Sequence, residues 1–154
     1  MSATLGHSPS EVVRQLLVDL GLGVDGTWAA NEYTGAAWPV SASGELDKPD
    51  NTITVYDTAG RGLGRGMAGG ELNQNFGFQV RVRATTHRIG WVKADTIQRT
   101  LAEDVKLRQV NVAGTRYLVW AVVGIGQVLP IGTEVPKSKR KLFTLNAMAT
   151  IKQL

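Results

Sequence analysis

The sequence predicts an α+β fold: one mixed, mostly antiparallel sheet with two helices packed on one face. Two stretches repeat apolar residues at helical spacing, and several others alternate with period two. The resulting order, α–β–β–α–β–β–β, leaves two apolar helical stripes. Laying both on one sheet is the simplest way to bury them. A chain of 154 residues suffices for one core, so residues 1–154 are read as a single domain.

The first helix has the clearest start. Ser8-Pro9-Ser10-Glu11 is a capping box with proline at the first helical position. Val12, Val13, Leu16, Leu17 and Leu20 then form one apolar face, and Gly21 and Gly23 stop the helix near residue 22. Glycines and prolines punctuate residues 25–50, where a short strand fits near Ala37–Ser41. Trp28 and Trp38 fall in this stretch and are read as covering the edge of the core.

Thr52 to Asp57 alternates and is β-branched, so it reads as a strand. The run TAGRGLGRGMAGGELNQN follows, and residues 59–75 are expected to form a flexible loop. Phe76 to Ala84 alternates again. Phe78, Val80 and Val82 face the core, while Gln79, Arg81 and Arg83 make a cationic outer row. The two strands read as a hairpin with a long tip.

The second helix is expected from His87 to about Asp104. Trp91, Ala94, Ile97 and Leu101 line its inner face, and Lys93, Asp95, Gln98 and Arg99 point out. Gly90 weakens the first turn and moves the expected start towards Trp91. The remainder is β-rich: Val105–Val112, Thr115–Gln127, a short Leu129-Pro130-Ile131 segment, and Leu142–Ile151. An exposed basic turn is expected over residues 136–141.

The chain has no cysteine, which removes disulfides, thiol catalysis and thiolate metal sites. His7 and His87 stand far apart without metal-ligand spacing, so no metal is expected. A pairing of His87 with Asp57 or Asp95 is conceivable, but no nucleophile motif accompanies it. Gly64 to Gly69 matches G-x-G-x-x-G. A dinucleotide site needs that motif to open a helix, and here a strand is expected. No enzyme activity and no cofactor are therefore expected. No run reaches about 18 apolar residues, so no membrane span is expected, and the N-terminus lacks the pattern of a signal peptide.

Net charge is +4, unevenly placed. Residues 1–57 hold two basic and eight acidic residues, a balance of −6; residues 58–154 hold 15 and five, a balance of +10. Such asymmetry fits a nucleic-acid partner or complementary packing between subunits. A basic stripe of Arg81, Arg83, Lys106 and Arg108 would form if their strands were neighbours. The candidate contact residues are Arg61, Arg65, Arg81, Arg83, Lys139, Arg140 and Lys141.

The capped helix, Trp38-Pro39, the strand ITVYDT, the glycine-rich run, FQVRVRA and KADTIQRTL occur in that order. Over roughly residues 8–104 this arrangement resembles the tail terminator and minor-capsid-type proteins of siphophages. The resemblance implies a virion protein assembled in the host cytoplasm. It implies a hexameric ring of identical subunits that caps the tail tube and ends its polymerisation. The implied partners are the tail-tube protein, the head-side connector or stopper, and DNA passing through the lumen without sequence-specific binding. It further implies that residues 59–75 form a hairpin inserted into adjoining rings. Two other readings stand beside it: another head–tail neck subunit, and a basic nucleic-acid-binding module. The capping box yields a direct test, since Ser8→Ala lowers stability by about 1 kcal/mol, read from the urea midpoint. An unchanged midpoint would contradict the assigned helix start.

Overall fold

The computed structural model describes residues 5–25, 38–46, 50–65, 72–133 and 140–154. Helix α1 spans Pro9–Asp19, and helix α2 spans His87–Glu103. The strands are β1 (Val24–Asp25), β2 (Pro39–Ala42), β3 (Thr52–Arg65), β4 (Leu72–Ala84), β5 (Lys106–Val112), β6 (Thr115–Val123), β7 (Leu129–Thr133) and β8 (Lys141–Gln153). They form one sheet in the order β1-β2-β3-β4-β8-β6-β5, and β7 pairs with β8. β1–β2 and β2–β3 are parallel; the remaining pairs are antiparallel. The fold is α+β with a mixed sheet, as the patterning predicts. The short strands β1, β2 and β7 are additions to the expected order, β2 answering the short strand expected near Ala37–Ser41, since two to five residues carry little periodicity.

Helix α1 begins as its sequence dictates. The Ser8 backbone N–H donates to Glu11 Oε2 at 2.8 Å, and the Glu11 N–H donates to Ser8 Oγ at 3.4 Å. At the other end the N–H groups of Gly21 and Leu22 donate to the carbonyls of Val18 and Leu17, each at 3.0 Å. That pair of bonds closes the last helical turn. Val12, Val13, Leu16 and Leu17 are fully buried.

One face of the sheet holds the core. Ile53, Val82 and Phe143 lie in one lateral row, and Val55, Val80 and Leu145 lie in the next. All six are buried. Helix α2 rests on β4 and β8, while α1 touches β2 and β3 near one end of the strand order and β5 at the other. The sheet therefore curls about α1. Burying a side chain such as Leu16 or Leu17 contributes roughly 1.5–3 kcal/mol.

Three expectations need correction. Helix α2 starts at His87, as expected, and is capped by Thr86, so Gly90 does not delay it; what differs is the place of Trp91, expected on the inner face. Gly90 is buried against Phe143 and Ala84, so it seats the helix close to the sheet. Trp91 consequently falls outside the core and is exposed, and Lys93 is half-buried with Nζ 5.3 Å from the centre of the Trp38 ring. Burial lowers the Lys93 pKa. Trp38 packs at the core edge as expected, and Trp28 lies outside the described residues.

The glycine-rich run is the second correction. Much of the expected 59–75 loop is strand, because β3 continues to Arg65 and β4 begins at Leu72. Gly60 and Gly77 permit it: a Cβ on either would strike backbone atoms of the opposite strand. Glycine weakens a strand on average, but here its missing side chain admits close approach of the two backbones. Residues 66–71 lie outside the described residues.

Third, the basic turn is shorter than expected. Lys141 opens β8, and its Nζ donates to Thr133 Oγ1 at 2.9 Å. The side chain of Arg140 is largely buried, and residues 136–139 lie outside the described residues.

Gly90→Ala supplies a test of sign. In an exposed helix this change stabilises by up to about 1 kcal/mol; against Phe143 it destabilises by about 1–3 kcal/mol. Chemical denaturation decides, and a stabilised variant would contradict the close seat of α2.

Candidate interaction surface

The candidate residues separate into an internal group and an outward group. Arg81 Nη1 donates to Glu45 Oε1 at 2.8 Å, and its guanidinium lies 5.1 Å from the Tyr56 ring centre. Arg83 is only 3% exposed. Its Nε donates to the Asp50 carbonyl at 3.2 Å, its Nη2 donates to the Leu46 carbonyl, and Glu45 stands 4.0 Å away. Arg140 Nε lies 3.1 Å from Asp50 Oδ1. Arg81, Arg83 and Arg140 thus fasten Glu45, Leu46 and Asp50 to the outer side of the sheet.

This corrects the cationic outer row. The alternation of β4 is as read, with Arg81 and Arg83 opposite the core face, but another segment of the chain covers them. Thr52, Thr54 and Ser41 are buried on the same side, where the Ser41 hydroxyl donates to the Gly44 carbonyl at 2.7 Å. Burial and the nearby Glu45 carboxylate raise the Tyr56 pKa. The stripe joining Arg81 and Arg83 to Lys106 and Arg108 does not form. β8 and β6 stand between β4 and β5.

The other sequence candidates are also placed. The His7 Nδ1 and the Tyr117 hydroxyl share a hydrogen bond of 2.7 Å. His87 stacks on Trp91 and meets the Phe143 ring edge-on at 5.2 Å. Asp57 accepts the Ser10 N–H and hydroxyl, each at 2.8 Å, and Asp95 pairs with Arg99 at 3.0 Å. Both carboxylates considered for His87 are therefore engaged elsewhere. Gly64 lies on β3, which continues to Arg65, and β4 begins at Leu72. Gly66 and Gly69 lie outside the described residues. A cleft of about 600 Å³ is lined by Ser8, Glu11, Arg14, Ser41 and Val112 among others. Ser8 and Glu11 already bond each other there in the α1 cap. Among the described residues no three His, Asp or Glu side chains cluster as metal ligands would.

Three features stand apart from that cluster. Arg61 and Arg65 sit on β3 where it runs beyond its pairing with β2. β2 pairs with β3 only at residues 53–55, and β8 pairs with β4 only from Asn75 onward. Beyond Arg61 and Asn75 the described strands pair with each other alone, giving an arm roughly 10 Å long. Ile89, Trp91 and Val92 expose an apolar patch on α2. Leu107, Trp120, Val123, Leu129 and Ile131 expose another across β5, β6 and β7. Lys139 lies outside the described residues.

Sequence reasoning missed Glu45, Asp50 and Tyr56 as partners of the arginines, because those contacts join residues distant in the chain, Tyr56 and Arg81 at 81 − 56 = 25 positions and the others farther apart. It also missed the patch at Trp120, where a register shift between Val119 and Ala121 breaks the alternation.

No protein-family model matches, and no curated protein matches. A solved structure matches over 96% of this chain and 97% of that chain, at 17% identity and a TM-score of 0.47.

The Arg83 contacts are tested by Arg83→Met, which keeps the aliphatic bulk and removes the donors. Charged hydrogen bonds of this kind contribute about 1.5–3 kcal/mol, so the melting temperature falls clearly. Arg108→Met, at an exposed position, changes stability by less than about 0.5 kcal/mol. Equal effects would contradict the internal role of Arg83.

Proposed function

We propose that this protein is a structural assembly subunit of the tail-terminator type, acting as a homo-oligomeric ring that caps a tail tube and joins it to the head-side connector. The observation that carries the reading is the arm of β3 and β4 beyond Arg61 and Asn75. A two-stranded ribbon without further support is marginally stable in water, so an arm of this length is suited to docking on another subunit. A further feature agrees with it. The described surface exposes two apolar patches, one containing Trp91 and the other Trp120, and such patches mark interaction sites.

The order of elements follows the resemblance named above, with a capped helix, a hairpin and a second helix packed on that hairpin. The arm replaces the expected flexible loop and places Arg61 and Arg65 on an extended ribbon. DNA passing through the ring would meet a basic protein without needing base readout, since phosphate neutralisation is independent of sequence. No helix among the described residues is long and apolar enough to cross a membrane.

Native mass by light scattering, with and without tail-tube protein, tests the reading. A ring, or a monomer that becomes a ring on the tube, is expected. A chain that stays monomeric and ignores the tube would overturn it.

A further inference from the structure

We infer that the end of the outer sheet face that carries Arg116 and Lys152 binds the phosphate backbone of duplex DNA. The inference rests on the ring reading for the presence of DNA and names the surface that meets it. The basic stripe expected from Arg81, Arg83, Lys106 and Arg108 does not form, but the register assembles another.

Four strands meet at this end. β3 and β8 run towards it, and β4 and β6 start from it. Arg61 pairs with Asn75 and Asn75 with Thr150, which sets the three in one lateral row. Lys152 follows on β8 and pairs with Leu118, which pairs with Gln109. Arg116 follows on β6 and pairs with Asn111. Ala149 and Ile151 on β8, and Tyr117 and Val119 on β6, are buried in the core. Alternation therefore puts Thr150, Lys152, Arg116 and Leu118 on the outer face. The Thr150 hydroxyl donates to Asn75 Oδ1 across the strands.

The chemistry of this end selects the partner. Arg116, Lys152, Gln109 and Asn111 are exposed. None of the strands β4 to β8 contains an aspartate or glutamate. Asp57, the carboxylate of β3, pairs with Phe78 in a core-side row and is held by Ser10. Arg81, Arg83 and Arg140 are engaged by Glu45 and Asp50, whereas Arg116 forms no ion pair among the described residues. From β3 to β6 the group crosses three strand spacings, roughly 15 Å. Duplex DNA carries a negative charge about every 1.7 Å of its axis, so a group of this width meets several phosphates at once. Arginine, lysine, asparagine and glutamine are the side chains that hold a DNA backbone. Protein interfaces, by contrast, are depleted in lysine.

The test is fluorescence anisotropy of a short mixed-sequence duplex across a range of salt, with melting temperature as the control for folding. Arg116→Gln and Lys152→Gln are each expected to melt as wild type and to lower the slope of log affinity against log salt by about 1. Arg108→Gln removes the same charge from an exposed residue paired with the buried Val119, on the opposite face. It is expected to leave the slope unchanged. Equal losses in all three variants overturn the inference, as does a wild type that binds no DNA at low salt. A ring lost in Arg116→Gln while its DNA binding stays as wild type overturns it in favour of a subunit contact. A wild type that binds DNA through these residues and never assembles overturns the ring reading alone.

Discussion

Strand β8 is the constraint on which the rest of the structure depends. It pairs with β4 along one side and with β6 and β7 along the other. Without it, β3–β4 and β5–β6 are separate hairpins with no shared edge. Its inward residues Phe143, Leu145, Ala147, Ala149 and Ile151 are all buried. Phe143 also forms the seat for Gly90, and so fixes how closely α2 lies on the sheet. The pairing of Val82 with Phe143 closes a loop that contains α2, β5, β6 and β7. Closure of so long a loop is slow and entropically opposed. Strand β8 therefore completes both the sheet and the core.

Filling the inner face with both helices leaves the outer face to be dealt with separately, and the chain treats its halves differently. Over β2, β3 and β4 it folds Glu45, Leu46 and Asp50 back onto Arg81, Arg83 and Arg140. Arg81 and Arg83 keep hydrogen-bonding partners and Arg140 keeps an ion pair with Asp50 despite partial or near-complete burial, which avoids the cost of an orphaned charge. Over β5, β6 and β7 the apolar side chains remain open to solvent. The internal half stabilises the subunit. The open half and the arm are the surfaces from which the assembly reading grows.

Much of this was legible in sequence where the determinants are local. The α1 cap lies within four consecutive residues, Ser8 to Glu11, and both cap bonds are present. The alternation of Phe78, Val80 and Val82 gave the correct inner face of β4, and both helices were placed within a few residues. What escaped depends on neighbours distant in the chain. Gly90 reads as a helix weakener until Phe143 is seen beneath it. Gly60 and the glycines after it read as a loop, although β4 supplies the ladder that keeps residues 59–65 extended. Arg83 reads as a surface cation because nothing near it in sequence announces the carbonyls of Leu46 and Asp50. Of the candidate contact residues, Arg61 and Arg65 lie on the arm, whereas Arg81, Arg83 and Arg140 serve the subunit's own fold.

The central claim is that this subunit ends the growth of a tail tube. The most direct measurement is the length distribution of tubes assembled in its presence, together with electron microscopy of their ends. The account predicts tubes of bounded length, each carrying an added ring at one end. Tubes that grow to the same lengths with bare ends, at saturating amounts of this protein, would contradict it.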